Sequence, residues 1–322
     1  MAEERFAQRA YELAQRVQEV TGRAVVGQQR LIQQCLVAVL SGGHVLIEGV
    51  PGTAKTLLVR ALAIALGKDF KRVQMTPDLM PSDILGTYVF DMEQRQFHLR
   101  RGPIFTQFLL ADEINRAPAK TQSALLEGMQ EKQVTIDGKP HPLDRDFTVF
   151  ATQNPVEFEG TYPLPEAQVD RFMLKLIVDY PAADQEHELL RRFDQGFSDL
   201  DLEAAGVQPV TTPEEILSCR QEIEAVHVSD DVLGYIIELA RATREHPLLT
   251  LGCSPRAAVM LLLVSKTLAA LRGKDYLGPD EVQAMAPPTW RHRLLLRPEA
   301  EIEGQKPDDI IASIIASVPV PR

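Results

Sequence analysis

Cysteine is scarce in this chain. Cys35, Cys219 and Cys253 are the three present, odd in number and far apart in 322 residues. That excludes a disulfide framework and a zinc-ligand spacing, and it points to a reducing compartment. Cys35 and Cys253 sit in apolar surroundings and read as small core residues. No run of about 20 apolar residues occurs, which excludes a helical membrane span. The opening stretch, Met1-Ala2-Glu3-Glu4-Arg5, lacks the apolar core of a signal peptide. A cytoplasmic protein is the expectation. Positive charge is in deficit, 34 Lys and Arg against 45 Asp and Glu, for a net charge of −11. No global basic field therefore draws nucleic acid. Internal repeats and low-complexity tracts are also lacking.

What is present centres on residues 44–56. Val45-Leu46-Ile47 predicts a short buried strand. Gly49-Val50-Pro51-Gly52-Thr53-Ala54-Lys55-Thr56 follows, and then a helical run over 57–66 that Gly67 stops. Strand, glycine loop, Lys-Thr and helix is the context of a phosphate-binding loop. Gly49 and Gly52 permit a tight turn whose N–H groups point at phosphate oxygens. The helix adds the positive end of its dipole. Lys55 is expected to neutralise the β- and γ-phosphates of ATP, and the Thr56 hydroxyl to sit on Mg²⁺. Val50, Pro51, Thr53, Ala54 and Leu57 complete the expected phosphate cradle. The general pattern has glycine where Ala54 stands; a methyl group is tolerated there if φ is negative. The bland alternative is a glycine turn before an amphipathic helix, and the Lys-Thr pair weighs against it.

In chain order, Phe6, Ala10, Leu13, Val17 and Val20 predict an amphipathic helix over 3–22, and a second covers 29–40. Strands are expected over 70–75, 104–111, 147–152 and 172–178, and a helix over 120–130. Ser82 is a candidate N-cap. Hairpins are expected over 88–99 and over 133–143, the second turning at Asp137-Gly138. Alternating strands and helices up to about Tyr180 argue an α/β fold with a mostly parallel sheet. Beyond Pro181 the pattern turns helical, over 184–195, 213–226, 229–245, 255–271 and 279–286, with 196–212 as loop. The expected division is a nucleotide-binding α/β core over 1–182 and a helical domain over 183–322.

Asp112 and Glu113 close the apolar stretch Phe108-Leu109-Leu110-Ala111. That puts both carboxylates at a strand's C-terminal end, where open α/β sheets bind ligands. Asp112 is expected to hold Mg²⁺ through water, and Glu113 to orient and polarise the attacking water. Alone, the pair would read as dipole-favoured charges opening a helix. Asn154 ends the next strand, where it is placed to hold that water from the other side or simply to turn the chain before Pro155. Arg171 precedes the last core strand, and Arg256 opens a helix in Gly252-Cys253-Ser254-Pro255-Arg256. Arginine suits the spreading of phosphate charge in a transition state. Taken singly, each reads as a surface ion-pair partner.

Together these features resemble the AAA+ ATPases and, more narrowly, the MoxR family, over the whole chain. The family carries Gly-x-Pro-Gly-x-Ala-Lys-Thr, so Ala54 follows its habit. Further matches are Leu110 to Ala117, Phe150-Ala151-Thr152-Gln153-Asn154-Pro155, the stretch 164–172, and the closing Ser317-Val318-Pro319-Val320-Pro321-Arg322. The resemblance implies a P-loop NTPase core with two hairpin insertions and a C-terminal helical lid. It implies that Asn154 is the sensor-1 residue, and that Arg256 is the sensor-2 arginine serving its own chain's site from the lid. Arg171 would be the finger that reaches a neighbour's nucleotide, and the stretch Val26-Gly27-Gln28 would lie beside the adenine. It further implies a Mg-dependent ATPase in a homo-hexameric ring that remodels a protein substrate, often one with a von Willebrand A domain, sometimes in metal-cofactor insertion. A magnesium-chelatase-like metal-insertion ATPase is an alternative. So is a nucleic-acid motor of the same superfamily, for which Arg95, His98, Arg100, Arg101, Lys132 and Lys139 on the hairpins speak. A non-hydrolysing switch is disfavoured by Lys55, Thr56, Asp112 and Glu113.

Overall fold

The computed structural model describes residues 7–155 and 162–321. Helices α1 (Gln8–Ala24) and α2 (Gln29–Leu40) lead into β1 (Val45–Gly49) and α3 (Lys55–Ala65). Then come β2 (Phe70–Gln74), the short α4 (Pro81–Leu85), and a hairpin of β3 (Gly86–Asp91) and β4 (Gln96–Arg101). Strand β5 (Phe108–Asp112), α5 (Ala119–Glu131), a second hairpin of β6 (Gln133–Ile136) and β7 (Lys139–Pro142), and β8 (Thr148–Gln153) follow. One turn of helix, α6 (Glu166–Val169), precedes β9 (Leu174–Val178). The remainder is α7 (Ala183–Asp194), α8 (Pro213–Ala225), α9 (Asp230–Glu245), β10 (Leu249–Leu251), α10 (Pro255–Leu271), α11 (Pro279–Trp290), β11 (Leu295–Leu296), α12 (Pro298–Ile302) and α13 (Pro307–Ser317).

Five strands form one parallel sheet in the order β2-β5-β8-β1-β9. This is the α/β fold with two hairpin insertions and a helical C-terminal part that the sequence leads one to expect. Alternate residues of each central strand feed opposite faces, as the period of two requires. Val45, Ile47, Phe108, Leu110 and Phe150 enter the larger apolar cluster. Leu46, Leu109, Ala111, Val149 and Ala151 enter the smaller one, with Leu125 and Met129 of α5 and Val134 and Ile136 of β6. The larger cluster runs on without a break through α1, α2 and α3 into α8, α9, α10, α11 and α13. Ser229 and Ser254 cap α9 and α10, each hydroxyl accepting from the third helical N–H.

Several expectations need correction. The helix expected over 3–22 runs from Gln8 to Ala24; residues 3–6 lie outside the described ones, as does Arg322. The strand expected from 104 begins at Phe108, because the N–H groups of Gly102 and Ile104 bond back to the carbonyls of Leu85 and Ile84 at the end of α4. Ser82 lies inside α4, whose entry is fixed by the Asp83 carboxylate accepting from the Met80 N–H at 2.8 Å. Helix α11 continues through Pro287 and Pro288 to Trp290. The buried Trp290 ring anchors that end, its Nε1 donating to the Ala257 carbonyl at 3.0 Å. The 196–212 stretch is irregular but pinned, with Leu202 and Val207 buried and the Val210 N–H bonded to the Ala65 carbonyl. The small β10-β11 ladder, α12 and α13 give no signal that the periodicity reading detects.

His44 joins three elements at the N-terminal end of β1. The Val149 N–H donates to its Nδ1 at 3.0 Å, so Nε2 carries the proton and donates to the Met129 carbonyl at 3.1 Å. Burial, helped by the nearby Lys132 ammonium, pushes the imidazole pKa from 6.5 to about 3, against the opposing effect of the Met129 carbonyl. The folded ring stays neutral while an unfolded histidine protonates near pH 6.5. The stability this confers is therefore complete above that pH and lost as pH falls toward 3, by about 1.4 kcal/mol per unit. In urea unfolding between about pH 6 and 4, His44→Gln should show a slope of stability with pH shallower by about one proton. Equal slopes would assign the proton uptake to another group.

Candidate functional site

The loop between β1 and α3 is wound around its own carbonyls. The Thr53 hydroxyl donates to the Val50 carbonyl at 2.9 Å, and Lys55 Nζ donates to the carbonyls of Gly49 and Val50 at 2.7 and 2.8 Å. Gly52 takes φ +81°, which glycine reaches without cost. Gly49 is confined differently, since a Cβ there would lie 2.6 Å from the Val178 carbonyl oxygen. Ala54 has φ +58° and ψ +23°. This corrects the expectation of a negative φ: the methyl group sits in the left-handed region, at a cost of about 1 kcal/mol that the surrounding loop sustains. Burial lowers the Lys55 pKa, and the carboxylates of Asp112 and Glu113 pull it back up. A lysine so placed is short of solvent and faces negative charge, as a phosphate ligand requires.

Both carboxylates come from the C-terminal end of β5, which β8 separates from β1 in the sheet. Gln74 stands in register with Asp112 across the β2-β5 pair. Thr152, near the end of β8, lies between the two acidic residues. Its hydroxyl donates to Asp112 Oδ1 at 2.5 Å and accepts from the Glu113 N–H at 2.8 Å. Arg72 donates to Asp112 Oδ2 from Nε at 3.1 Å and from an Nη at 2.6 Å. Glu113 has φ +59°, and its Oε2 accepts from Gln74 Nε2 at 2.6 Å and from Arg116 at 3.0 Å.

Loop and carboxylates share a hollow of about 490 Å³. It is lined by residues 51–57, Asp112, Glu113, Thr152, Gln153 and the buried Asn154, with Leu189 and Phe193 of α7 and Asp199 closing the far side. The Thr56 hydroxyl and the Asp112 carboxylate are hard oxygen donors, the kind Mg²⁺ takes. Among the described residues no group of three or more His, Cys, Asp or Glu is arranged to hold a metal, so a cation here would complete its shell with phosphate and water. A second hollow, about 470 Å³, is lined by Gly27, Gln28, residues 177–181 and Gln185 of α7. Gln28 joins the two, its Nε2 donating to the Thr53 carbonyl at 3.3 Å. Val26 is half-buried beside it.

Arg171 and Arg256 line neither hollow. Arg171 is half-buried just before the N-terminal end of β9, opposite to the end that carries the phosphate loop. Among the described residues its guanidinium has no hydrogen-bond or ion-pair partner; Asp170 pairs instead with Arg293 at 2.7 Å. Arg256 is exposed on the first turn of α10 and within electrostatic reach of Arg293. It therefore shares an edge with Arg171. In this arrangement it stands on the side of Arg293 and does not line the hollow around its own loop.

Sequence reading assigns no site role to Arg72, Gln74 or the α7 side chains, nor to Arg116 and Thr152, which lie within the matched motifs. Arg72 and Gln74 lie two apart, so they share one face of β2. Their target becomes visible only once β2 is known to border β5.

The profile of the ATPase family associated with various cellular activities (AAA) matches residues 44–174, and that of the AAA lid domain matches residues 241–314. Chaperone MoxR1 of Mycobacterium tuberculosis is 42% identical over 93% of this chain and 80% of its own. Protein MoxR of Methylorubrum extorquens is 32% identical over 96% of this chain and 95% of its own. A Cytophaga hutchinsonii protein, assigned as an ATPase, has a crystal structure that superposes with a TM-score of 0.90 at 43% identity, over 99% of this chain and 98% of that one.

Proposed function

The chain belongs to the MoxR family of AAA+ ATPases, and on that premise we propose that it is a ring-forming ATPase that couples ATP hydrolysis to remodelling or maturation of a partner protein. One observation carries the catalytic reading: Lys55, Thr56, Asp112, Glu113 and Asn154, from separate stretches of chain, line one hollow around the phosphate loop. The division into a core over 1–182 and a lid over 183–322, and a cytoplasmic location, belong to the same proposal.

Lys55 exchanges its two carbonyl partners for phosphate oxygens, and the N–H groups of the loop and of the first turn of α3 join it. Mg²⁺, held by Thr56 and Asp112, would neutralise phosphate charge when bound. Glu113 polarises the attacking water and Asn154 holds it from the next strand. Glu113 is engaged by Gln74 and Arg116, so its carboxylate must turn before it does so. The adenine is taken beside Val26 and Gly27. Arg171 and Arg256 project from the edge away from their own loop, so both serve the site of an adjacent subunit. The protein-partner reading is supported by the relative named a chaperone. A homo-hexamer and a partner with a von Willebrand A domain follow from the family resemblance.

Glu113→Gln keeps the side chain's shape and removes its charge. Nucleotide affinity, titrated with a fluorescent ATP analogue, should stay near wild type while turnover falls by about 10²-fold or more. Turnover near the wild-type rate would make Glu113 structural and require another carboxylate for the water.

Mixed rings separate the two arginines' roles. Lys55→Ala removes a chain's own site, whereas Arg171→Ala removes the neighbour's. Rings mixing these two variants contain interfaces with an intact loop facing an intact finger, and activity should partly return. Arg256→Ala mixed with Lys55→Ala should behave likewise, and Arg171→Ala mixed with Arg256→Ala should stay inactive. Recovery in that last mixture would return Arg256 to its own chain's site.

A further inference from the structure

Arg293 follows α11 by three residues and is 8% exposed. A buried guanidinium must have its five N–H groups satisfied, and here most of its bonds go to one short segment, Asp170 to Met173. Nε donates to Asp170 Oδ1 at 2.7 Å; one Nη donates to the carbonyls of Asp170 and Phe172 at 3.1 and 2.6 Å. The other Nη donates to the Met173 carbonyl at 3.3 Å and to the Thr289 carbonyl. The adjacent residues grip the same strand. His292 Nε2 lies 3.0 Å from the Phe172 carbonyl, and Arg291 donates to the Lys175 carbonyl at 3.2 Å while paired with Asp308. Arg291, His292 and Arg293 together hold the backbone from Asp170 to Lys175 by its carbonyl oxygens.

The location of this grip gives it more than a packing role. The held segment starts at the residue beside Arg171. On its other side the Arg293 guanidinium stands 2.7 Å from the Met260 sulfur, and Met260 lies four residues along α10 from Arg256, one turn on the same face. Burial pulls the Arg293 pKa down, and the Asp170 carboxylate opposes that effect. Arg171 lacks a partner among the described residues and Arg256 is exposed. Among the described residues neither guanidinium has a bond of its own; each arginine lies close to a residue that Arg293 touches.

We propose that Arg293 is a positioning residue for ATP hydrolysis, locking the 170–173 segment against the first turns of α10 so that Arg171 and Arg256 are presented to the adjacent subunit's triphosphate as one rigid pair. The proposal rests on the reading that Arg171 completes a neighbour's site. Lysine cannot replace Arg293, since a single ammonium has no fork with which to serve a carboxylate and several carbonyls at once.

The test uses Arg293→Lys and, should that chain fail to fold, Asp170→Asn, which removes the ion pair and leaves the carbonyl bonds. Nucleotide affinity of the variant's own pocket should stay within about twofold of wild type, while ring turnover falls by about 10²-fold, the scale of a misplaced catalytic group. Mixing with Lys55→Ala should restore activity, because the variant's intact loop then meets a neighbour whose arginine block is intact. Mixing with Arg171→Ala should not, because both defects lie on the same edge. A merely stabilising Arg293 would leave the Lys55→Ala mixture as inactive as the Arg171→Ala mixture, and that outcome, or full turnover by Arg293→Lys, overturns the proposal. If Arg171→Ala itself fails to complement Lys55→Ala in rings shown to be mixed, the neighbour-site reading has failed and the proposal falls with it; complementation by Arg171→Ala but not by Arg293→Lys sinks the proposal alone.

Discussion

The site depends on a hydroxyl shared between two strands. Thr152 donates to Asp112 and accepts from the Glu113 N–H, which joins the C-terminal ends of β5 and β8 where the parallel ladder stops. That bond helps hold Glu113 in a left-handed backbone conformation, and the conformation aims consecutive carboxylates in different directions. One is turned to Arg72 and the other to Gln74 and Arg116. The phosphate loop on β1 then faces both across the hollow. Parallel pairing is what brings Gly49, Asp112 and Gln153 to one edge of the sheet, so the chemistry is a direct consequence of the strand direction.

The opposite edge has a different character. There Arg171 and Arg256 stand with their charges uncommitted among the described residues, around a buried arginine that is fully committed. Between the two edges runs a single apolar cluster that includes α1, the sheet face and α10. The helical part is thus not loosely hung on the core. A displacement at the loop and a displacement of α10 are carried by packed side chains, which deform little without repacking.

Much of this was legible in the residues. β5 and β8 are apolar runs because both faces of the sheet are covered, and a run ending in Asp112-Glu113 advertises its own C-terminal end. Gly49 to Thr56 announces a phosphate loop by composition alone. The sign of φ at Ala54 was not legible, since nothing in an alanine marks a backbone held in the left-handed region by its surroundings. Arg72 and Gln74 look like the solvent face of an edge strand, and their partners appear only through the β2-β5 register. The side on which Arg256 stands is set by how α10 and α11 close on Asp170, a contact between residues more than a hundred positions apart in which Arg293 reads locally as one basic residue in a basic stretch. Pro287 and Pro288 looked like the end of a helix that the burial of Trp290 carries past them.

The central claim is that a complete hydrolytic site needs two chains, one supplying the loop and carboxylates and the other the arginines. The most direct measurement is ATP turnover per chain as the protein is diluted through its assembly transition, with the oligomeric state followed by sedimentation on the same samples. Turnover per chain should fall together with the assembled fraction and be lost in the monomer, while the monomer still binds nucleotide. A monomer that hydrolyses ATP at the assembled rate would contradict the account.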